Sequence, residues 1–341
     1  MDESIPIREI TSEPRLAIPR PHVQPTISAR DWKIHGGLFL LTIGTTILAG
    51  TMLVMPEINV AEPPLRNPLD YILYVPLEYL YSIEGLLLGI FQHPSVLLQG
   101  IAFSTSVLFI LFAHEMGHYL ACRQYGVDAT LPFFIPAPPM FLAGTFGAFI
   151  KIRSPIPSRR ALFDIGLAGP LAGFVVALPI SVIGLLVIHP GPVQAGAGIV
   201  FNDPLLFRLL AHLLRAPLEP TSLINPYYMA AWIGLLVTSL NLMPVGQLDG
   251  GHGTFAVFGP KVHKIGGHIV LAIIVVLAVL GFVWHGSPSG FLYAVLLGIM
   301  VRVRHPEPAT MEPLGFTRVV IAILTLAVFV LCFVPFPITL Y

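Results

Sequence analysis

Long apolar runs alternate with short, proline-bearing polar segments along most of this chain. Runs at about 36–55, 99–122, 161–188, 226–246, 265–284 and 317–338 are apolar enough to predict membrane-crossing helices. Two shorter runs, 82–93 and 290–301, fall below the roughly 20 residues that a lone crossing needs. The flanks of the second demand a crossing; the first reads as a surface or re-entrant helix. Residues 131–153 break the helical pattern, because Pro132, Pro136, Pro138 and Pro139 exclude a helix. The following stretch, Thr145 to Arg153, is β-prone, with Gly147 marking a bulge or a close backbone approach. The pattern predicts an all-α polytopic membrane protein of about six to eight transmembrane helices, with a small re-entrant strand or hairpin. Residues 1–35 read as a flexible tail and 36–341 as a single membrane-embedded domain with its core at 99–255.

Composition agrees with the pattern. Hydrophobic residues make up 55% and charged residues 11%, against roughly 25% charged in soluble domains. Mean hydropathy is +0.82. Net charge is zero, so nothing points to nucleic acid as a partner. Charge asymmetry sets the expected orientation. With the amino terminus in the cytoplasm, fifteen of the 18 Lys and Arg residues fall in cytoplasmic segments, leaving Arg66, Arg208 and Arg215 outside. Losing the 290–301 crossing would put Arg302, Arg304 and Arg318 outside as well. The two cysteines, Cys122 and Cys332, fall at opposite faces, which excludes a disulfide between them. The mixed-charge tail ahead of the first run predicts a retained anchor in a bacterial inner membrane rather than a cleaved leader or a transit peptide.

The candidate chemistry lies inside the second run, at His114-Glu115-Met116-Gly117-His118. On a helix, histidines four apart share a face and can grip one zinc ion, with Glu115 placed to take a proton from water. An intramembrane Glu costs roughly 2.5–3.5 kcal/mol even on lenient insertion scales, and is seldom kept without a task. The alternative is a pair of core histidines bonded to neighbouring helices. This run descends towards the cytoplasm, so at about 1.5 Å per residue the motif lies on the order of 6–12 Å below that face. A third ligand must come from a segment ending at the same face. The run 226–246 does so: Pro244 breaks it at membrane depth, and Asp249 follows. Asp249 reads equally as a cap or turn residue. Asp164 is the competing acid, better suited to a helix start or an ion pair. His252 is expected to hydrogen-bond locally.

The chain resembles the site-2 protease family of intramembrane zinc metalloproteases. Three blocks in order carry the likeness: His114–His118, then Gly169-Pro-Leu-Ala-Gly173, then Asn241-Leu-Met-Pro244 running into Leu248-Asp249-Gly250. Gly144 to Lys151, with Arg160 to Asp164, is most similar to the branch holding plant chloroplast members and bacterial relatives. The resemblance implies that His114, His118 and Asp249 bind one Zn2+ per chain and that Glu115 is the general base. It implies that Asn241 positions the substrate carbonyl or its oxyanion. Gly169 and Gly173 would allow close helix packing, a structural role that small residues at this spacing take in many membrane proteins. Neither the PDZ domain nor the CBS domains of other members find room in the sequence.

The implied activity is intramembrane endopeptidase, cutting the transmembrane helices of single-span proteins in regulated intramembrane proteolysis. Such a helix shields its peptide bonds, so Thr145, Phe146, Gly147 and Ala148 are expected to bind it in unwound form by strand addition. A loop folded over the site without touching substrate is the plainer alternative. The chief rival function is a membrane metal transporter, or metal-binding protein, using the same histidines. Transport requires polar residues along a whole path, whereas the polar groups here gather towards the cytoplasmic side. A metalloprotease with a downstream helical Glu as third ligand fails, because Glu219 falls outside.

Overall fold

A computed structural model describes residues 29–54, 68–138, 141–191, 199–219 and 222–340. Most of the expected tail, residues 1–28, lies outside the described residues. The chain opens with α1 (Ala29–Val54), α2 (Pro68–Gln92) and α3 (Ser95–Gln124). A hairpin follows, β1 (Phe133–Pro136) with β2 (Thr145–Phe149), and then α4 (Arg159–Leu186). Short elements come next: β3 (His189–Pro190), β4 (Ile199–Phe201), α5 (Leu205–Leu214) and β5 (Ser222–Leu223). The chain closes with α6 (Pro226–Asn241), α7 (Asp249–His285), α8 (Ser289–Met300), α9 (Phe316–Cys332) and β6 (Ile338–Leu340).

Among the described residues, α1, α3, α4 and α7 are long and apolar enough to cross a membrane. The α6 and α9 helices have 16 and 17 residues and α8 has 12, short of a straight crossing. The chain is an integral membrane protein, mostly helical, with few strands. Local signals explain the helix starts: Ser158 accepts from the Ala161 N–H at the head of α4, and Asn225 from the Tyr228 N–H ahead of α6, with Pro226 following. Within α7, Gly259 adopts φ 82° and ψ 175°, and Pro260 restarts the helix, so the segment bearing Asp249 is set off from the longer apolar segment.

The core forms where α3, α4 and α6 pack together, around the fully buried Phe103, Phe163, Met229 and Trp232. α1 covers one side of α3, joined by a 2.6 Å hydrogen bond between Thr46 and Ser104. Helices run alternately, which gives the bundle two distinct ends. At one, α3 finishes, α4 and α7 begin, and residues 301–315 cross as a strap. There Arg318 forms an ion pair with Asp164 (2.6 Å), and the Arg160 side chain donates to Pro313 O. At the other end β4 pairs with β6, β3 with β5, and His285 meets Phe336. Cys122 and Cys332 are buried free thiols.

The α8 run returns the chain to the first end: Gly290 lies against Ala278 of α7, and Met300 against Gly246. The 82–93 run proves to be the last part of a 25-residue helix, α2. The re-entrant element is a hairpin whose Gly144 packs on Thr45 and Thr46, midway along α1. At the start of β1, the His35 ring lies 3.8 Å from the Phe133 ring, tilted by 35°, and its Nδ1 donates to Pro132 O at 3.1 Å.

Candidate metal centre

Three elements converge on one point. From α3, His114 and His118 face α4 and Glu115 lies beside them, all buried. From the head of α7 comes Asp249, the first helical residue, which follows Leu248 and makes no cap. Its carboxylate turns to the histidines: Oδ2 lies 3.3 Å from His114 Nε2, and Oδ1 lies 3.4 Å from His118 Nε2. The two Nε2 atoms are 3.2 Å apart.

These edges test whether a metal fits. Ligands about 2.0–2.1 Å from a tetrahedral zinc stand about 3.3–3.4 Å from one another. The Nε2–Nε2 separation matches one edge of such a tetrahedron, and each Nε2 has its own Asp249 oxygen at the same spacing. The tautomer agrees: His118 Nδ1 donates to Ile165 O at 2.7 Å, so its Nε2 holds a lone pair towards the gap. Facing lone pairs and a carboxylate form an anionic cradle, and His114, His118 and Asp249 can hold a zinc ion. Among the described residues no other group of three His, Cys, Asp or Glu converges this way.

Glycines make the approach of α4 possible. A Cβ at Gly169 would land on the His118 imidazole, and one at Gly117 on the Ala168 carbonyl. At Gly173 a Cβ would stand 3.2 Å from His114 Cβ. Gly169 thus leaves room for the His118 ring itself as well as for the helix, while Gly173 fits packing alone.

A cavity of about 300 Å³ opens beside the donors. Glu115 lines it, with Oε1 4.0 Å from His114 Nε2 and its carboxylate hydrogen-bonded by the Ile150 N–H. Asn241, the last residue of α6, puts Nδ2 3.3 Å from His114 Nε2. Ala148 is on the lining, joined by Phe149, Ile150 and Ile152. Of the other strand residues singled out in the sequence, Thr145 is buried with Oγ1 donating to Ile135 O, and Phe146 is 59% exposed. Gly147 has φ 105° and open space around it. The stretch nearest the donors is therefore displaced towards Ile150, and the β-prone run through residue 153 was its signal.

Of two neighbours, His252 differs from expectation and Asp164 agrees with it. His252 bonds to the distant strap instead of locally: its Nδ1 donates to His305 Nε2 at 2.8 Å, since His305 Nδ1 is given to Pro306 O. Burial, then His252, pushes the His305 imidazole down to about 3. Asp164 pairs with Arg318 of α9 and with the Tyr125 hydroxyl, 26% exposed at the bundle end, and so competes for no metal.

The family model described as Peptidase family M50 matches residues 102–281. The chain is 35% identical over 188 residues to a protein of Arabidopsis thaliana named "Probable zinc metalloprotease EGY2, chloroplastic", covering 53% of this chain and 33% of that protein. It is 38% identical over 161 residues to "Probable zinc metalloprotease EGY1, chloroplastic" of Oryza sativa subsp. japonica, covering 45% and 27%. With "Probable zinc metalloprotease EGY2, chloroplastic" of the same rice it shares 30% over 256 residues, covering 72% and 40%. The chain spans about a quarter to two fifths of the length of these curated relatives. No solved structure matches it.

Proposed function

The chain belongs to peptidase family M50, and from that premise we propose that it is a zinc endopeptidase cleaving transmembrane helices of single-span proteins within the bilayer. The observation carrying this reading is the donor cluster, two Nε2 atoms 3.2 Å apart, each with its own Asp249 oxygen at 3.3 or 3.4 Å, set beside a buried Glu115. When bound, zinc supplies Lewis acidity to the scissile carbonyl and to the attacking water. Glu115 takes the proton of that water as its oxygen attacks the carbonyl carbon. It then delivers the proton to the leaving nitrogen as the C–N bond breaks. Asn241 Nδ2 stands beside the donors, suited to meet the developing oxyanion.

Substrate is held in extended form along β2. The Lys151 amide is taken by Thr130 Oγ1, and the Ile150 amide points the other way, to Glu115. By strand alternation Ala148 offers its N–H and C=O on the Ile150 side, away from β1. Regulated intramembrane proteolysis is the setting that such an activity serves. The further placement is a bacterial inner membrane with the amino terminus and the site's mouth cytoplasmic. It rests on charge asymmetry and tail composition, whereas the named plant relatives are chloroplastic.

The test uses the full chain in nanodiscs with a single-span substrate. Glu115→Gln should keep about one zinc per chain and lose at least 100-fold in cleavage, within the range for a general base. Asp249→Asn should lose zinc and cleavage together. Cleavage retained by Glu115→Gln would overturn the proposal. Zinc flux in proteoliposomes without cleavage would favour the transporter.

A further inference from the structure

A second cavity, of about 540 Å³, opens beside the α7 kink, between α7 and the strap. Lys264 and His268 line it from α7, and Arg302, Arg304 and His305 from the strap, with Glu307 as the single acid. Among the described residues none of Lys264, Arg302 and Arg304 forms an ion pair. The strap is not loose here, because Gln247 Nε2 donates to Arg304 O at 2.6 Å and His305 is bonded to His252. Three unpaired cations are thus held around one concave space.

The adjoining surface says what kind of molecule brings the anion. On α7, Ala272, Val275 and Val279 are exposed, the two valines to 43% and 47%. At spacings of four, four, three and four, Lys264, His268, Ala272, Val275 and Val279 form one helical stripe, running from the cavity along the helix. Apolar side chains exposed along a membrane-crossing helix face acyl chains, and a basic pocket at the helix end faces headgroups.

We propose that this cavity binds the phosphate of an anionic phospholipid, with its acyl chain laid along that stripe. The site is separate from the metal centre, and its readout does not depend on proteolysis.

The test titrates the purified full chain, in neutral detergent, with phosphatidylglycerol or phosphatidylcholine and counts retained lipids by native mass spectrometry. Phosphatidylglycerol should be retained in preference. The triple variant Lys264→Gln, Arg302→Gln, Arg304→Gln should weaken it roughly a hundred-fold. Charge-preserving Lys264→Arg, Arg302→Lys, Arg304→Lys should retain it, which separates loss of charge from loss of fold. Removing basic residues at the other end, Arg208→Gln with Arg215→Gln, should change nothing. Equal retention of both lipids, or an unaffected triple Gln variant, would overturn the site. Displacement of phosphatidylglycerol by millimolar inorganic phosphate alone would overturn the lipid assignment in favour of a free-phosphate site.

Discussion

At the scale of single residues, the least conspicuous position carries a sharp expectation. A Cβ at Gly169 would collide with the His118 ring, whereas one at Gly173 would meet His114 Cβ at 3.2 Å. Gly169→Ala should therefore lose most of its bound zinc while the helices remain, as measured by metal analysis alongside circular dichroism. Gly173→Ala should lose stability, by about 1–3 kcal/mol of overpacking, more than metal. Equal zinc in wild type and Gly169→Ala would show that the ring can move aside. Much of the donor set was legible beforehand, because the i, i+4 spacing of the histidines needs only a helix to become geometry. Asp249 was left between ligand and cap, since sequence does not say where a loop returns. The His252–His305 bond had no signal at all. It depends on a strap 53 residues away in the chain.

Among elements, the hairpin and the strap make separable predictions. A proline at Ala148 removes an N–H from the edge away from β1, so it should abolish cleavage while the hairpin persists. Proline at Phe149, which pairs with Phe133, should unpair the hairpin itself; hydrogen exchange of residues 133–136 distinguishes the two. Equal effects at both positions would sink substrate pairing on this edge. The strap responds to acid. The His305 imidazole, down to about 3 from an ordinary 6.5, is neutral when folded and faces His252 and His263. Between those values the unfolded strap binds more protons, so its stability falls as pH drops below about 6.5. Amide exchange at residues 303–307, normalised to intrinsic rates, should rise from pH 7 to pH 5, and His305→Gln should flatten that rise. The β-prone run announced the hairpin, because prolines and branched residues cannot hide their preference. Its register was out of reach: Ala148 reaches the cavity and Thr145 does not, through a bulge between Ile135 and Pro136.

For the whole molecule, alternation of the helices was readable from apolar runs and charge. The short α6 was not distinguished from a free-standing crossing, since burial on all sides leaves the same apolar signature as lipid contact. The proposed orientation predicts labelling from opposite sides in a chain lacking Cys122 and Cys332. Glu307→Cys should react with an impermeant maleimide added to the amino-terminal side, and His212→Cys with one added to the other. Both reacting from one side would break the topology.

If substrate adds to β2 as proposed, the edge away from β1 has a consequence for what is chosen for cleavage. Hydrogen bonds to main-chain groups carry little information about side chains, and the cavity of about 300 Å³ can inspect only a few of them. Discrimination then passes to the prey itself. On that reading, a helix already weakened by glycine, proline or asparagine near the level of the cavity should surrender its backbone cheaply. A helix of leucines, however well it fits, should stay coiled and survive.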